Sequence, residues 1–280
     1  MPVPRNTLTA RIQRLDPESD HAEIVRLLFF HEFPWDLRTA GKLVIWHLYA
    51  VPGTAARIGP TDALAGRSHT TSLAFGDLVA EGFDSPSGRT VLRGINRGHR
   101  SGRVSTEDNR YALAALAVTA VRWLDRYGWR PLAPAERTAI AVFHAELGRR
   151  MGVPDLPRTY PAQAEYLAAC ERTRFAPSEA GRVASERTLA MVRAHAPWPI
   201  RPLVVPVFAT LLSPGVRAAV GLPDAPAPVR WAVRSALAAR RRVVRLLPPR
   251  PRPTTPRTRR NLPPATAEAD AGRVDLARPG

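Results

Sequence analysis

Cysteine is almost absent from this chain of 280 residues. Cys170 is its one cysteine, so no disulfide can form within the chain. A single thiol also cannot supply the cysteine clusters that hold zinc or iron–sulfur centres. The fold must therefore rest on a hydrophobic core, and 45% of the residues are hydrophobic, which is enough for a sizeable one.

The signatures of several large enzyme classes are missing as well. The sequence has no Gly-x-Gly-x-x-Gly motif and no Walker A loop, which mark many nucleotide-binding folds. It also has no His-Glu-x-x-His zinc motif and no Gly-x-Ser-x-Gly nucleophile elbow. Nucleotide-dependent enzymes, zincin proteases and nucleophile-elbow hydrolases therefore lose their support.

Long apolar runs are missing too. No stretch reaches the length that a membrane-spanning helix needs. The first twenty residues, MPVPRNTLTARIQRLDPESD, lack the apolar core of a signal peptide. We therefore expect a cytoplasmic protein without a transmembrane segment.

Lysine is nearly absent, although the net charge is +17. Lys42 is the one lysine among 41 basic residues, a bias that is typical of a GC-rich genome. Residues 240–260 hold nine arginines and no acid. We interpret the charge as a solvated basic surface and expect no nucleic-acid partner. Peripheral contact of the basic tail with an anionic membrane is kept as an alternative.

The pattern of apolar residues indicates an all-α protein. Alternating strand patterns and Asn-Gly hairpin turns are missing, whereas helical spacing recurs along the chain. We predict a flexible arm over 1–19, one multi-helix domain over 20–247 and a disordered Pro/Arg-rich tail over 248–280. Helices are predicted at 23–33, 37–51, 67–81, 88–97, 106–127, 134–151, 161–175, 178–195, 200–212 and 226–246.

One polar set stands out between residues 66 and 111. Arg67 and Thr71 lie four residues apart, as do His99 and Arg103, so each pair shares one face of a helix. Isolated histidines on apolar faces are more often core residues than ligands. Likewise, the two arginines could lie on solvated faces and the threonine could cap a turn.

Two other histidines lie in predicted helices. His47 lies in the helix over 37–51 and is the main rival of His99 as a ligand. We prefer a core or distal-pocket role for it, because no other polar residue repeats with it. His144 lies beside Phe143, and we assign it to the core or the surface.

In its polar set the chain resembles the MpaB-type oxygenases, which are related to the catalytic domain of the latex-clearing rubber oxygenase. That family has an Arg, a Thr four residues later, a His about thirty residues on, and an Arg four residues after the His. Arg67, Thr71, His99 and Arg103 fit this order and spacing, and the resemblance runs from about Phe33 to Pro253. The matching flanks are GFDS at 82–85, INRGH at 95–99, STEDNRYAL at 105–113, RWLDRYGWRPL at 122–132, ELGRRMGVPDLP at 146–157 and LPPRPRP at 247–253.

The resemblance implies a helical fold around a buried pocket for b-type haem. His99 would be the proximal iron ligand, Arg103 and Arg67 would lie at the propionates, and Thr71 would lie close by. Arg67 and Thr71 are also the candidate catalytic residues. The chain lacks the Cys-x-x-Cys-His motif, so such haem would be bound non-covalently. The implied reaction uses O2 on a small apolar substrate, for example oxidative cleavage of an isoprenoid C=C bond.

The chain departs from the family at the catalytic base. Rubber-cleaving relatives carry an acid before the Arg, but Val51 stands sixteen residues before Arg67. Asp62 and Asp77 lie nearby without matching that position. In the fungal relatives an acid often precedes the Thr, where this chain has Thr70. A non-enzymatic helical carrier of an apolar ligand or of haem is therefore the alternative.

Overall fold

The computed structural model describes residues 5–58, 64–100, 105–247 and 254, and no strand occurs among them. The α-helices are α1 (Arg5–Gln13), α2 (His21–Leu27), α3 (Pro34–Tyr49), α4 (Pro52–Ile58), α5 (Leu64–Glu81), α6 (Pro86–Arg100), α7 (Thr106–Tyr127), α8 (Pro134–Arg150), α9 (Tyr160–Arg174), α10 (Glu179–His195), α11 (Val204–Leu211), α12 (Pro214–Ala219) and α13 (Ala227–Leu246). A π-helical turn spans Leu28–Glu32, and a 3₁₀ turn spans Trp198–Leu203. The all-α prediction is confirmed. Within these ranges no helix is both long and apolar enough to cross a membrane.

The core is built around α7, which packs against α3, α8 and α9. One side of α7 is lined by alanines and branched residues that are fully buried, among them Ala114, Ala117 and Val121. Small side chains at these positions let neighbouring helices approach closely. On the outer side of α3, α10 approaches so closely that a Cβ added at Gly181 would clash with the carbonyl oxygen of Tyr49. The molecule is thus a layered helical body centred on α3 and α7.

Helix ends follow local signals that can be read from the sequence. Ser105, Ser178 and Ser213 each accept a hydrogen bond from a backbone N–H of the first turn, which satisfies an otherwise unpaired donor. Gly82 and Gly152 follow α5 and α8 with φ of 78° and 71°, the left-handed conformation that glycine adopts readily. The helix predicted at 106–127 thus has Ser105 as its N-cap.

The segment predicted as a flexible arm over 1–19 includes a helix that contacts the body. Residues 5–13 form α1, and Ile12 is almost completely buried in the main core. Arg11 also forms an ion pair of 2.8 Å with Glu23 of α2. Ile12, the partly buried Leu8 and the ion pair of Arg11 thus seat this segment on the body, although its sequence shows no strong helical periodicity.

Beyond α13 the structure describes Thr254, which lies within the tail predicted over 248–280. Its backbone N–H donates to the carbonyl oxygen of Phe30 at 2.9 Å. The tail therefore returns to the body at this residue. The rest of the predicted tail lies outside the described residues.

Candidate active site

The helical hairpin α5–α6 carries three of the four residues of the polar set. The two helices pack against each other and are joined by a four-residue link, 82–85. Arg67 and Thr71 lie roughly 21 and 15 Å before the end of α5, and His99 lies roughly 20 Å after the start of α6, at about 1.5 Å per residue. All three backbone positions therefore lie at the end of the hairpin away from the link.

The structure describes only the backbone at Arg67, Thr71 and His99, so it locates these residues without describing their side chains. Arg103 lies outside the described residues. The prediction that the four side chains form one buried pocket stays a prediction.

The described side chains next to this end of the hairpin are apolar and aromatic. Phe75 follows Thr71 by one helical turn, and Ile95 precedes His99 by one turn, so each shares a face with its partner. Both pack against the main core. Phe75 meets Phe29 and Phe143 edge to face, with ring centroids 6.0 and 6.1 Å apart.

His144 adds a neutral imidazole to this aromatic cluster. Its ring stacks on Phe75 with 5.9 Å between centroids, and Nδ1 donates to the carbonyl oxygen of Ile140 at 2.8 Å. Burial lowers the pKa of His144 to about 4, outweighing the hydrogen bond to Ile140, which raises it. Nε2 therefore carries a lone pair at neutral pH and has no hydrogen-bond partner among the described residues. The sequence analysis assigned His144 to the core or the surface, and the structure places it in the core. Its contact with Phe75 had no local signal in the sequence.

His47 lies in a different part of the core. It is buried beside a second apolar cluster, which is built from residues of α3, α7 and α9 and includes Val51 and Tyr111. Its Nδ1 lies 3.3 Å from Glu171 Oε1 and 3.4 Å from the hydroxyl of Tyr111. Burial and the nearby charge of Glu171 raise the pKa of Tyr111, so that hydroxyl stays protonated. These contacts give His47 polar partners within a second cluster, as expected for a core histidine.

Val51 is the residue at which this chain lacks the acid of the rubber-cleaving relatives. It is buried in the second cluster among apolar side chains. Asp77, on α5, is also buried. It follows Thr71 by six residues, which puts it on a different face of the helix.

Asp108 is a buried carboxylate that is bound by several hydrogen-bond donors. Thr54 Oγ1 donates to it at 2.7 Å, and the guanidinium groups of Arg57 and Arg174 both bind its carboxylate. Burial raises the pKa of Asp108, but the hydrogen bonds from these three residues and from Ser105 lower it to about 2. This network ties α4, α7 and α9 together, and it was not foreseen from sequence.

The donor set of the hairpin has the chemistry that b-type haem requires. An imidazole is a good ligand for iron, and a guanidinium fits a carboxylate such as a propionate. The adjoining faces present Phe75 and Ile95, which suit a flat apolar ring system. Among the described side chains no group of three or more His, Cys, Asp or Glu could hold a metal ion. Haem iron needs no such group, because a single histidine can ligate it.

Comparison with known proteins extends the match beyond the polar set. Residues 39–247 match the family described as ER-bound oxygenase mpaB/B'/rubber oxygenase, catalytic domain. The ER-bound oxygenase mpaB' of Penicillium brevicompactum is 25% identical over 247 residues, which cover 79% of this chain and 57% of that protein.

Two further relatives are ER-bound oxygenases named mpaB. Those of Penicillium brevicompactum and Penicillium roqueforti (strain FM164) are each 27% identical over 135 residues, or 44% of this chain. These segments cover 34% and 44% of the two relatives, so the matches span from about a third to somewhat more than half of the length of these curated relatives. The family match covers most of the chain, and the protein belongs to the mpaB/rubber oxygenase catalytic-domain family.

Proposed function

We propose that this protein is a haem b-dependent oxygenase that uses O2 on a small apolar substrate, with isoprenoids as the candidate class. Membership of an oxygenase family supports oxygenase chemistry in general. The observation that carries the finer proposal is the position of Arg67, Thr71 and His99 at one end of a single hairpin. The apolar faces beside them suit both a porphyrin and an oily substrate.

In this proposal each residue of the polar set has a separate task. His99 would ligate the iron through a ring nitrogen, and the guanidinium groups of Arg67 and Arg103 would pair with the propionates. Thr71 follows Arg67 by four residues on the same helix, and its hydroxyl would offer a hydrogen-bond donor near the haem. The bound haem would supply the iron centre that binds and activates O2.

The surrounding side chains exclude water and orient the substrate. Phe29, Phe75 and Phe143 form an aromatic wall that offers no competing hydrogen bonds to an apolar chain. His144 stays neutral in this wall at physiological pH, so it adds a hydrogen-bond acceptor without adding charge. Side chains of such low polarity would favour hydrocarbon substrates over charged ones.

The carrier alternative is favoured by one observation, the buried Val51 where the rubber-cleaving relatives have an acid. An oxygenase without that acid must use another base, or a reaction that does not need one. Binding and release of an unchanged apolar ligand needs no base at all.

The test is a product assay on the purified protein. Incubation with O2, a reductant and a prenyl substrate should consume substrate and give products with added oxygen, measured by mass spectrometry in ¹⁸O2. A carrier would return the substrate unchanged, with no ¹⁸O in any product. His99→Ala and heat-treated protein are the controls for haem-dependent and non-enzymatic oxidation.

The site of action is part of the same proposal. The relatives are named ER-bound. For this chain, in contrast, we propose that the site of action is the cytoplasm.

A further inference from the structure

The last long helix, α13, is unusual in its composition and its exposure. It has twenty residues, none of which is buried. It contains no acid and six arginines, which are Arg230, Arg234, Arg240, Arg241, Arg242 and Arg245. Trp231 and Leu246 are 72% and 85% exposed, far more than large apolar side chains usually are.

One side of α13 seats the helix on the body. Leu237 packs against the main core, and α13 contacts α11 and α7. Arg240 donates twice to Asp36, at 3.0 Å each, and its guanidinium lies 3.9 Å from the ring centre of Trp35. These contacts fix which side of the helix points away from the protein.

The opposite side presents Trp231, Arg234, Arg242 and Leu246, all exposed. At about 100° per residue they fall within roughly 120° of the helix circumference. We call these four residues the α13 face. Its two ends carry apolar side chains, and the guanidinium groups lie between them.

A second exposed apolar group lies beside the same neighbour. The 3₁₀ turn over Trp198–Leu203 packs against α11, as α13 does. In this turn Trp198 is 80% exposed, and Ile200 and Leu203 are also exposed. Exposed apolar groups concentrated around one helix mark an interaction surface rather than scattered surface residues.

We propose that the α13 face docks on an anionic lipid surface. Tryptophan prefers the membrane–water interface, leucine inserts among the acyl chains, and arginine pairs with phosphate and carboxylate headgroups. The chain beyond α13 keeps the same sign of charge, since residues 240–260 contain nine arginines and no acid. The inference does not depend on the haem or on the proposed reaction.

Two other occupants fit less well. A second copy of this chain would bring two arginine-rich helices together within a protein of net charge +17, and their repulsion opposes pairing. A nucleic acid would satisfy the arginines but has no partner for Leu246 or Ile200. A lipid surface satisfies both the charges and the aliphatic groups.

The test is co-sedimentation of the full-length protein with vesicles at about 0.1 M salt, where exposed charges are partly screened. We expect tight binding to phosphatidylcholine vesicles that contain phosphatidylserine, and weak binding to phosphatidylcholine alone. Trp231→Ser with Leu246→Ser should weaken binding at least about tenfold, because two inserted apolar groups are lost. Arg234→Gln with Arg242→Gln should weaken it about 30-fold.

The matched control removes two exposed arginines elsewhere, with Arg14→Gln and Arg93→Gln, and should bind as the parent protein does apart from a small general charge effect. Circular dichroism should show the same melting curve for all variants, since the changed side chains are exposed. The proposal is overturned if Trp231→Ser with Leu246→Ser binds as the parent does, which would leave only unspecific charge attraction. It is also overturned if duplex DNA binds and vesicles do not, or if the protein self-associates through Trp231 without binding lipid.

Discussion

The carboxylate of Asp108 is completely buried and accepts hydrogen bonds from several side chains. Its pKa lies at about 2 in the folded protein and near 3.8 in the unfolded chain, so the unfolded chain binds more protons between these values. The resulting stabilisation is fully present above about pH 4 and is lost as the pH falls towards 2. A shift of this size corresponds to about 2 kcal/mol of unfolding free energy.

Asp108→Asn should therefore remove that acid-dependent stabilisation. We expect a loss of about 3 kcal/mol at pH 7, because Arg57 and Arg174 keep their charges without the carboxylate. Urea unfolding at pH 7 and pH 3 measures both effects. Asp84→Asn breaks an exposed ion pair with Arg150 and serves as the control, with an unfolding midpoint close to that of the parent. Equal midpoints for the two variants would show that the buried network contributes nothing.

His144 gives a second pH signature, in a different window. Its pKa is about 4 in the folded protein against 6.5 in the unfolded chain, so folding keeps the ring neutral while the unfolded chain binds a proton. The free energy of unfolding is therefore not lowered by His144 above pH 6.5, and it falls as the pH drops from 6.5 towards 4. Between pH 7 and pH 5 the loss should be about 2 kcal/mol.

His144→Phe should flatten the stability curve between pH 7 and pH 5, because phenylalanine keeps the stacking on Phe75 and does not titrate. Asp108→Asn is the control and should keep the drop, since its own window lies below pH 4. A drop of the same size in His144→Phe and in the parent protein would place the titrating group elsewhere.

The link 82–85 and the first turn of α6 determine how closely α5 and α6 approach each other in the hairpin that carries the candidate site. A Cβ added at Gly88 would overlap the carbonyl oxygen of Gly82, whereas a Cβ added at Gly94, later in α6, would meet nothing within 4 Å. The turn is thus closed by backbone against backbone, with Ser85 Oγ accepting from the Gly88 N–H at 2.8 Å.

Gly88→Ala should destabilise the protein by about 2 kcal/mol, because α6 must move away from Gly82. Gly94→Ala is the matched control and should stabilise by up to about 1 kcal/mol, since alanine favours the helix. Urea unfolding of both variants measures the difference. A neutral Gly88→Ala would mean that the hairpin does not need this close approach.

At the scale of elements, local sequence signals predicted most helices to within a few residues. The helices predicted at 161–175 and 178–195 appear as Tyr160–Arg174 and Glu179–His195. The helix predicted at 37–51 ends at Tyr49, and Pro52 begins α4, because proline fits the first helical turn as well as it stops a preceding one. The helix predicted at 200–212 is split into a 3₁₀ turn and α11, since Pro202 removes a backbone donor.

The site was predictable only in part, for reasons of distance along the chain. Spacing and family resemblance indicated Arg67, Thr71 and His99, and a short hairpin brings their backbones to one end. Asp108 lies in the first turn of α7, but its side chain binds Arg57 and Arg174, which lie 51 and 66 residues away. Partners that far apart leave no periodic signal.

At the scale of the whole molecule, the question is how much residues 248–280 contribute to the stability of the fold. Composition predicts that this segment packs little, yet the N–H of Thr254 donates to Phe30. Ending the chain after Leu247 should lower the unfolding free energy by only about 1 kcal/mol, the typical net contribution of one hydrogen bond. Thermal unfolding with and without the segment measures it, and Thr254→Pro in the full chain should give a similar loss. A loss of several kcal/mol on truncation would show that more of the segment packs on the body.

The central claim is that His99 holds haem in a helical oxygenase, and the most direct measurement is the haem content of variants. Protein expressed with ample haem should purify with a Soret band. His99→Ala should lose most of the haem, because the one axial bond from the protein is removed and no covalent tether exists. Arg103→Ala should lose less, because the iron ligand and the apolar contacts remain.

His47→Ala is the decisive control, since it also deletes a buried histidine, but from the second apolar cluster. Its haem content per folded protein, with folding checked by circular dichroism, should stay near that of the parent. A parent protein without a Soret band would contradict the account, and so would a His47→Ala variant that alone empties the site while His99→Ala keeps its haem.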